Sequence, residues 1–130
     1  MAEIKLFSLC DGVKECSSSE VLLEKELQTL IEQNMETFFG VRFLKSEYSI
    51  TNGRMDSIGI DENNSPVIFE YKRSQNENVI NQGLFYLDWL LDHKANFKLL
   101  VIEKLGMEAA ENIDSSVPCV ICVAHDFTKY

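Results

Sequence analysis

Long apolar runs, proline, glycine and basic side chains are all scarce in this sequence of 130 residues. No apolar run approaches the roughly 20 residues that a membrane-spanning helix requires, and residues 1–5 lack the basic and apolar blocks of a signal peptide. Only 2 prolines and 6 glycines, with 45% hydrophobic residues, fit a folded globular protein and argue against disorder. We therefore expect a folded cytoplasmic protein, with residues 1–130 forming about one domain.

Positive charge is in deficit, with 12 Lys and Arg against 21 Asp and Glu and a net charge of −9. Proteins that bind nucleic acid through a simple electrostatic surface usually carry a basic face. The composition therefore disfavours tight, non-specific DNA binding. It does not exclude an enzyme that holds phosphates through metal ions and a few cations, because those charges act locally.

The four cysteines include Cys119 and Cys122, which have the spacing of a metal-binding or redox pair. They lie in the apolar run 117–124, which is typical of a buried strand. Residues three apart on a strand point to opposite faces, so the pattern predicts buried, reduced thiols rather than a shared metal ion or a disulfide. His93 and His125 have no partner spacing, and we expect them to be structural or solvated.

Hydrophobic periodicity and turn signals predict a mixed α/β sheet with helices on both faces. Asn52-Gly53 is a strong hairpin signal and is typical of a type I′ turn. The predicted elements are an edge strand over 3–9, a helix from the Ser17–Glu20 capping box to about Phe38, strands over 41–50, 54–60 and 66–73, a helix over about 75–93, a strand over 97–103, a short helix over about 104–112, and a strand over 118–124.

Two of these strands place an acid inside an apolar run, Asp56 in one and Glu70 in the next. A buried charge is costly unless it is paired or holds a metal ion. If the strands pair across the turn at 61–65, the two acids lie opposite one another, about 5 Å apart. They would repel unless a divalent cation such as Mg²⁺ bridges them. Lys72, on the same face as Glu70, can then reach an attacking water or a phosphate, which suits phosphodiester hydrolysis.

Gln82 and Tyr86 lie one turn apart on the second long helix, so they share a side of it and could hydrogen-bond a phosphate or a base. Each candidate also has a structural interpretation. These are a partly buried salt bridge for Glu70 and Lys72, a strand-end cap for Asp56, a solvated helix residue for Gln82, a core aromatic for Tyr86, and a sheet-surface cation rather than a phosphate contact for Arg54.

Three segments together resemble the PD-(D/E)XK (restriction-endonuclease-like) nuclease superfamily, in particular its RecB-like and NucS-like branch. They are Gly53-Arg54-Met55-Asp56, Glu70-Tyr71-Lys72 and Gln82-Gly83-Leu84-Phe85-Tyr86. Met55 stands where a proline often precedes the first acid in this superfamily. The predicted order of helix, three-stranded meander, helix and strand over about residues 20–103 matches the restriction-endonuclease-like core.

The resemblance implies roles for individual residues. Asp56 and Glu70 become metal ligands, and Lys72 becomes the catalytic cation. Gln82 and Tyr86 would contact the substrate or brace the site. Many members add a glutamate from the first helix, for which Glu24 is the first candidate and Glu26 the alternative.

The function expected from the resemblance is Mg²⁺- or Mn²⁺-dependent endonuclease hydrolysis of DNA, in repair or defence. The acidic surface would repel long duplexes, which favours ends, flaps or single strands as substrates. The net charge of −9 also favours a different function, a nuclease-fold binding or scaffolding module of a larger protein that has lost cleavage. A homodimer and a further C-terminal domain beyond Tyr130 both remain open.

Overall fold

The computed structural model describes residues 3–8, 20–74, 77–114 and 117–126, with side chains over 25–72, 81–114 and 117–123. Ser17 of the predicted capping box lies outside these ranges, as do Cys10 and Cys16. The elements, in chain order, are β1 (Glu3–Ser8), α1 (Glu20–Gln33), α2 (Met35–Phe39), β2 (Arg42–Ile50), β3 (Gly53–Ile60), β4 (Pro66–Ser74), α3 (Glu77–Asp92), α4 (Lys94–Leu105), α5 (Met107–Glu111) and β5 (Cys119–Asp126).

The five strands form one mixed sheet in the order β1-β5-β4-β3-β2. The pairs β2–β3 and β3–β4 are antiparallel, as short turns allow, whereas β5 runs parallel to both β4 and β1. A parallel neighbour requires a long crossover connection, and α3, α4 and α5 provide it between β4 and β5. The predicted α/β class with a mixed sheet is confirmed.

Helices cover both faces of the sheet, and a buried apolar cluster lies under each set. Helices α3, α4 and α5 pack on one face, where the buried side chains include Ile58, Ile68, Leu87, Leu90, Phe97, Leu100 and Ala110. Helices α1 and α2 pack on the other, with Leu27, Ile31, Met35, Val67, Phe69 and Ile121. Within the ranges described, no helix is long and apolar enough to cross a bilayer.

Cys119 and Cys122 on β5 belong to different clusters, so their side chains lie on opposite faces of the sheet. Both are buried, as predicted, and neither takes part in a disulfide with the other. The side chain of His125 lies outside the described residues. His93 is half-buried, and its ring stacks on Trp89 with centroids 4.1 Å apart, in agreement with a structural role.

The predicted strand over residues 97–103 is wrong, because this segment forms most of helix α4. Phe97, Leu100 and Val101 are buried, whereas Leu99 is 63% exposed. That spacing of three and four is the period of a helix, and a strand would alternate. The sheet therefore receives its next strand only at β5.

The hairpin between β2 and β3 is present, but the predicted type I′ turn is wrong. Ile50 pairs with Gly53, so the two loop residues are Thr51 and Asn52. Asn52 has φ of 65°, and it is the only one of the two with positive φ, whereas a type I′ turn requires positive φ at both. The first predicted helix also breaks at Asn34, and its second part ends at Gly40, whose φ of 66° is left-handed.

Gly59 on β3 packs closely against the start of the edge strand β2, and substitution of this glycine tests that packing. An added Cβ would lie 2.6 Å from the carbonyl oxygen of Arg42 and 2.6 Å from Cγ1 of Val41. We expect Gly59→Ala to lower the free energy of unfolding by about 1–3 kcal/mol, as overpacking does, measured by urea denaturation. Ser49→Ala, at an exposed position of β2, is the control, and an equal effect of the two would contradict the expectation.

Candidate active site

Strands β3 and β4 separate at the two acids that the sequence singles out. Their backbone pairing ends at Ser57 and Phe69. Beyond it, the backbone N–H of Asp56 donates to Oε2 of Glu70 at 3.1 Å. The backbone N–H of Tyr71 donates to Oδ2 of Asp56 at 2.9 Å. Each carboxylate therefore accepts from the opposite strand, and the structure brings the two acids together at this fork.

The other edge of β3 is also irregular at Asp56. Glu47 and Asp56 would face each other in a regular β2–β3 ladder, but the two residues are not paired. Glu47 also has a positive φ of 54°. Met55 and Ile58 lie in the same apolar cluster, although regular alternation puts residues three apart on opposite faces. Asp56 therefore sits at a local distortion of its strand, and the backbone groups of Asp56 bond side chains.

A cavity of about 900 Å³ opens in front of the fork. Its wall is formed by Asn52, Gly53, Arg54, Asp56, Glu70, Lys72, Asn81, Gln82, Phe85 and Tyr86. Six of the seven residues that were assigned to the site from the sequence therefore line this one cavity. The side chain of Glu24 lies outside the described residues, and the alternative, Glu26, is exposed on α1.

Glu70 is a buried acid of this cavity with a raised pKa. Its side chain is 1% exposed. Burial, and after it the charge of Asp56, raise the pKa of Glu70 to about 8, against the opposing effects of the Asp56 N–H and the charges of Lys72 and Arg54. Two adjacent carboxylates with too little positive charge around them are suited to a hard divalent cation with oxygen ligands.

The described residues supply few side chains that could bind a metal ion at this site. Among them, no group of three or more His, Cys, Asp and Glu side chains is placed to hold a metal ion. Asp56 and Glu70 would therefore bind an ion together with water or substrate oxygens, as Mg²⁺ commonly does.

Tyr86 connects helix α3 to the start of β3. Its side chain is 3% exposed, and its hydroxyl donates to the carbonyl oxygen of Arg54 at 2.8 Å. An added Cβ on Gly53 would lie 3.1 Å from the Tyr86 ring, which explains a glycine there. Tyr86 is thus both a buried aromatic and a brace of the strand that carries Asp56, while its predicted contact with substrate stays a prediction.

The cations occupy different parts of the cavity wall. Lys72 is half-buried, whereas Arg54 is exposed and lies 3.7 Å from a carboxylate oxygen of Glu47. Glu47 also pairs with Lys25 at 3.1 Å, and this hydrogen bond, followed by the charges of Lys25 and Arg54, lowers the pKa of Glu47. Exposed pairs of this kind are weak, so the pair with Glu47 holds Arg54 only loosely.

Three residues of the wall were missed in the sequence, namely Asn52, Asn81 and Phe85. Asn81 and Phe85 lie one helical turn apart, directly before the predicted pair Gln82 and Tyr86. The same four-residue spacing was therefore available as a signal. Phe85 is 41% exposed, which is unusual for a large aromatic side chain that only packs a core.

Comparison with known proteins identifies relatives of this chain. The family model described as the endonuclease NucS C-terminal domain matches residues 23–115. A protein of Haemophilus influenzae (strain Rd) described as uncharacterized is 36% identical over 130 residues, which cover 98% of this chain and 43% of that protein.

Solved structures share the fold. A repair endonuclease from Pyrococcus abyssi is 25% identical, with a TM-score of 0.52, over 82% of this chain and 39% of that chain. EndoMS in a complex with double-stranded DNA is 23% identical, with a TM-score of 0.54, over 82% and 37%. The chain spans less than half the length of each of these relatives. Because the family model covers well over half of its residues, the chain belongs to the family of the endonuclease NucS C-terminal domain, within the restriction-endonuclease-like nucleases.

Proposed function

We propose that this chain is the nuclease domain of a metal-dependent enzyme that hydrolyses phosphodiester bonds in DNA, in repair. The observation that carries the proposal is the meeting of Asp56 and Glu70 at the fork of β3 and β4, with Lys72 on the wall of the same cavity. The names of the relatives, a repair endonuclease and EndoMS bound to double-stranded DNA, support the reaction and the substrate.

Asp56 and Glu70 are the residues that would hold Mg²⁺ or Mn²⁺. The ion, when bound, supplies the positive charge that offsets both carboxylates and stabilises the charge that develops on phosphate oxygens during hydrolysis. The resemblance implies Glu24 as a third ligand.

Lys72 contributes a second positive charge beside the ion site. An ammonium there orients the attacking water and neutralises the phosphate that it attacks, and its position on β4 keeps it on the same wall as Glu70. Arg54 and Gln82, which line the same wall, would bind flanking phosphates or bases. Tyr86 holds the backbone of Arg54 in place for this contact.

The net charge of −9 favours substrates that need only a short basic contact, such as DNA ends, flaps or single strands. The same charge supports the second candidate function, a binding or scaffolding module of a larger protein that keeps the fold without cleaving. Cleavage of blunt, flapped and single-stranded DNA at low salt separates these preferences, since equal rates on all three would reject the proposed selectivity.

A test of the proposal combines ion binding with cleavage in wild type and Asp56→Asn. We expect Mn²⁺ to raise the unfolding temperature of the wild type, because an ion that binds only the folded state stabilises it by mass action. We also expect wild-type cleavage that EDTA stops. Asp56→Asn should lose both responses.

Asp88→Asn is the matched control, since Asp88 is exposed on α3 and outside the cavity wall. It should behave as the wild type does. Ion binding and DNA binding without any cleavage by the wild type would instead support the non-cleaving module.

A further inference from the structure

We propose that Gln28, Glu32, Ser57 and Tyr71 form a positioning network, called here the rear network, which fixes Asp56 from the opposite face of the sheet. Its relevance to ion binding rests on the proposed function, whereas its effect on the backbone at Asp56 does not. The network joins α1 to β3 and β4 at the place where these strands separate.

The rear network is a continuous chain of hydrogen bonds. The Tyr71 hydroxyl donates to Oγ of Ser57 at 2.9 Å. The Ser57 hydroxyl donates to Oε2 of Glu32 at 2.5 Å, and Nε2 of Gln28 donates to the same oxygen at 3.0 Å. Ser57 is 0% and Tyr71 2% exposed, so these polar groups are removed from water and depend on one another.

Two members of the rear network also contact Asp56 directly. Nε2 of Gln28 donates to the backbone carbonyl oxygen of Asp56 at 3.1 Å. The backbone N–H of Tyr71 donates to the Asp56 carboxylate at 2.9 Å. Because the backbone N–H of Asp56 is bonded to Glu70, side chains satisfy both backbone groups of Asp56. The sheet ladder does not determine the position of Asp56, and the rear network does.

This arrangement has a chemical consequence for the carboxylate pair. Ion binding requires the Asp56 and Glu70 oxygens to converge, and at a fork the two strands have no ladder hydrogen bond to hold them at a constant separation. Tyr71 ties them on the far side, because its ring and hydroxyl pack among the apolar side chains under α1.

The experiment uses Tyr71→Phe, Ser57→Ala and Gln28→Met, which remove hydrogen bonds and keep most of the apolar volume. In the metal-free protein, amide hydrogen exchange of Asp56 and Tyr71 is measured by NMR. We expect exchange at these two amides to accelerate about 5- to 10-fold, as loss of one hydrogen bond predicts, with amides of β5 unchanged. The double variant Tyr71→Phe/Ser57→Ala should add little to Ser57→Ala, since Ser57→Ala already removes the Tyr71–Ser57 bond along with the Ser57–Glu32 bond.

Ion affinity provides the second measurement. We expect each variant to bind Mn²⁺ about 10-fold more weakly by titration calorimetry, in the range found for residues that support metal ligands. The control is Ile31→Val, a buried residue of α1 on the same face, which should lower stability without changing the affinity or the two exchange rates.

Unchanged exchange at both amides, or an equal change in Ile31→Val, would overturn the positioning role. A wild type that binds no Mn²⁺ would refute the proposed function. The exchange rates of the metal-free protein would still decide for or against the rear network.

Discussion

Lys72→Met should slow DNA cleavage about 10²- to 10⁴-fold, the contribution typical of a positioned proton-transfer or charge-stabilising group. Methionine keeps most of the length of the lysine side chain and removes only its charge. The two acids that meet at the fork are Asp56 and Glu70, and Lys72 is not one of them. The variant should therefore still bind Mn²⁺. Its affinity for the ion should if anything rise, because the positive charge that repels the ion has been removed. Single-turnover cleavage and calorimetry measure the two effects separately.

The matched control for this prediction is Lys98→Met, an exposed position on α4 away from the cavity wall. It makes the same change in net charge and should cleave at the wild-type rate. A Lys72 variant that cleaves normally, or that loses ion binding together with cleavage, would contradict the assignment of Lys72 to the chemical step.

Glu70→Gln should have opposite effects on metal-free stability and on ion binding. Burial and the Asp56 charge raise the pKa of Glu70 from 4.5 to about 8, so the folded state holds a proton that the unfolded state releases. The stability that this provides is complete below about pH 4.5 and is lost as the pH rises through about 8. The free energy of unfolding falls with rising pH throughout that window, because the unfolded state has released the proton that the folded state keeps.

Glutamine resembles the protonated acid, and its amide oxygen can still accept from the Asp56 N–H. In EDTA, Glu70→Gln should therefore lack this pH dependence and be more stable than the wild type at pH 9. Its response to Mn²⁺ should disappear, because an essential anionic ligand is gone. Urea denaturation at pH 5, 7 and 9, with and without Mn²⁺, measures both effects.

Glu111→Gln, at an exposed position of α5, is the control and should follow the wild type at each pH. A Glu70 variant that is less stable than the wild type at pH 9 without metal would show that ionised Glu70 is well compensated in the folded protein. The argument for a cation at this site would then fail.

Some of the site could be predicted because it depends on local patterns. The alternation of β3 and β4 and the short turn between them determine that Asp56 and Glu70 meet, and helical spacing places Gln82 and Tyr86 on one side of α3. The segment 97–103 was wrongly predicted as a strand, because its local pattern does not distinguish a strand from a helix. A short run of apolar residues suits a buried strand and a helix equally, and only its packing against the sheet shows which residues are buried.

The sequence by itself determined the class of the fold, the two strands that carry the acids and the candidate residues Arg54, Asp56, Glu70 and Lys72, because side-chain periodicity and turn chemistry act over a few residues. Only the tertiary structure decided where the β3–β4 ladder ends and which groups replace it. Gln28 and Glu32 are distant from Asp56 in sequence. Because α1 packs across the sheet, Gln28 bonds the backbone carbonyl of Asp56 and Glu32 bonds the neighbouring Ser57. Contacts of that kind depend on the register of strands and on the placement of a helix, which no local pattern encodes.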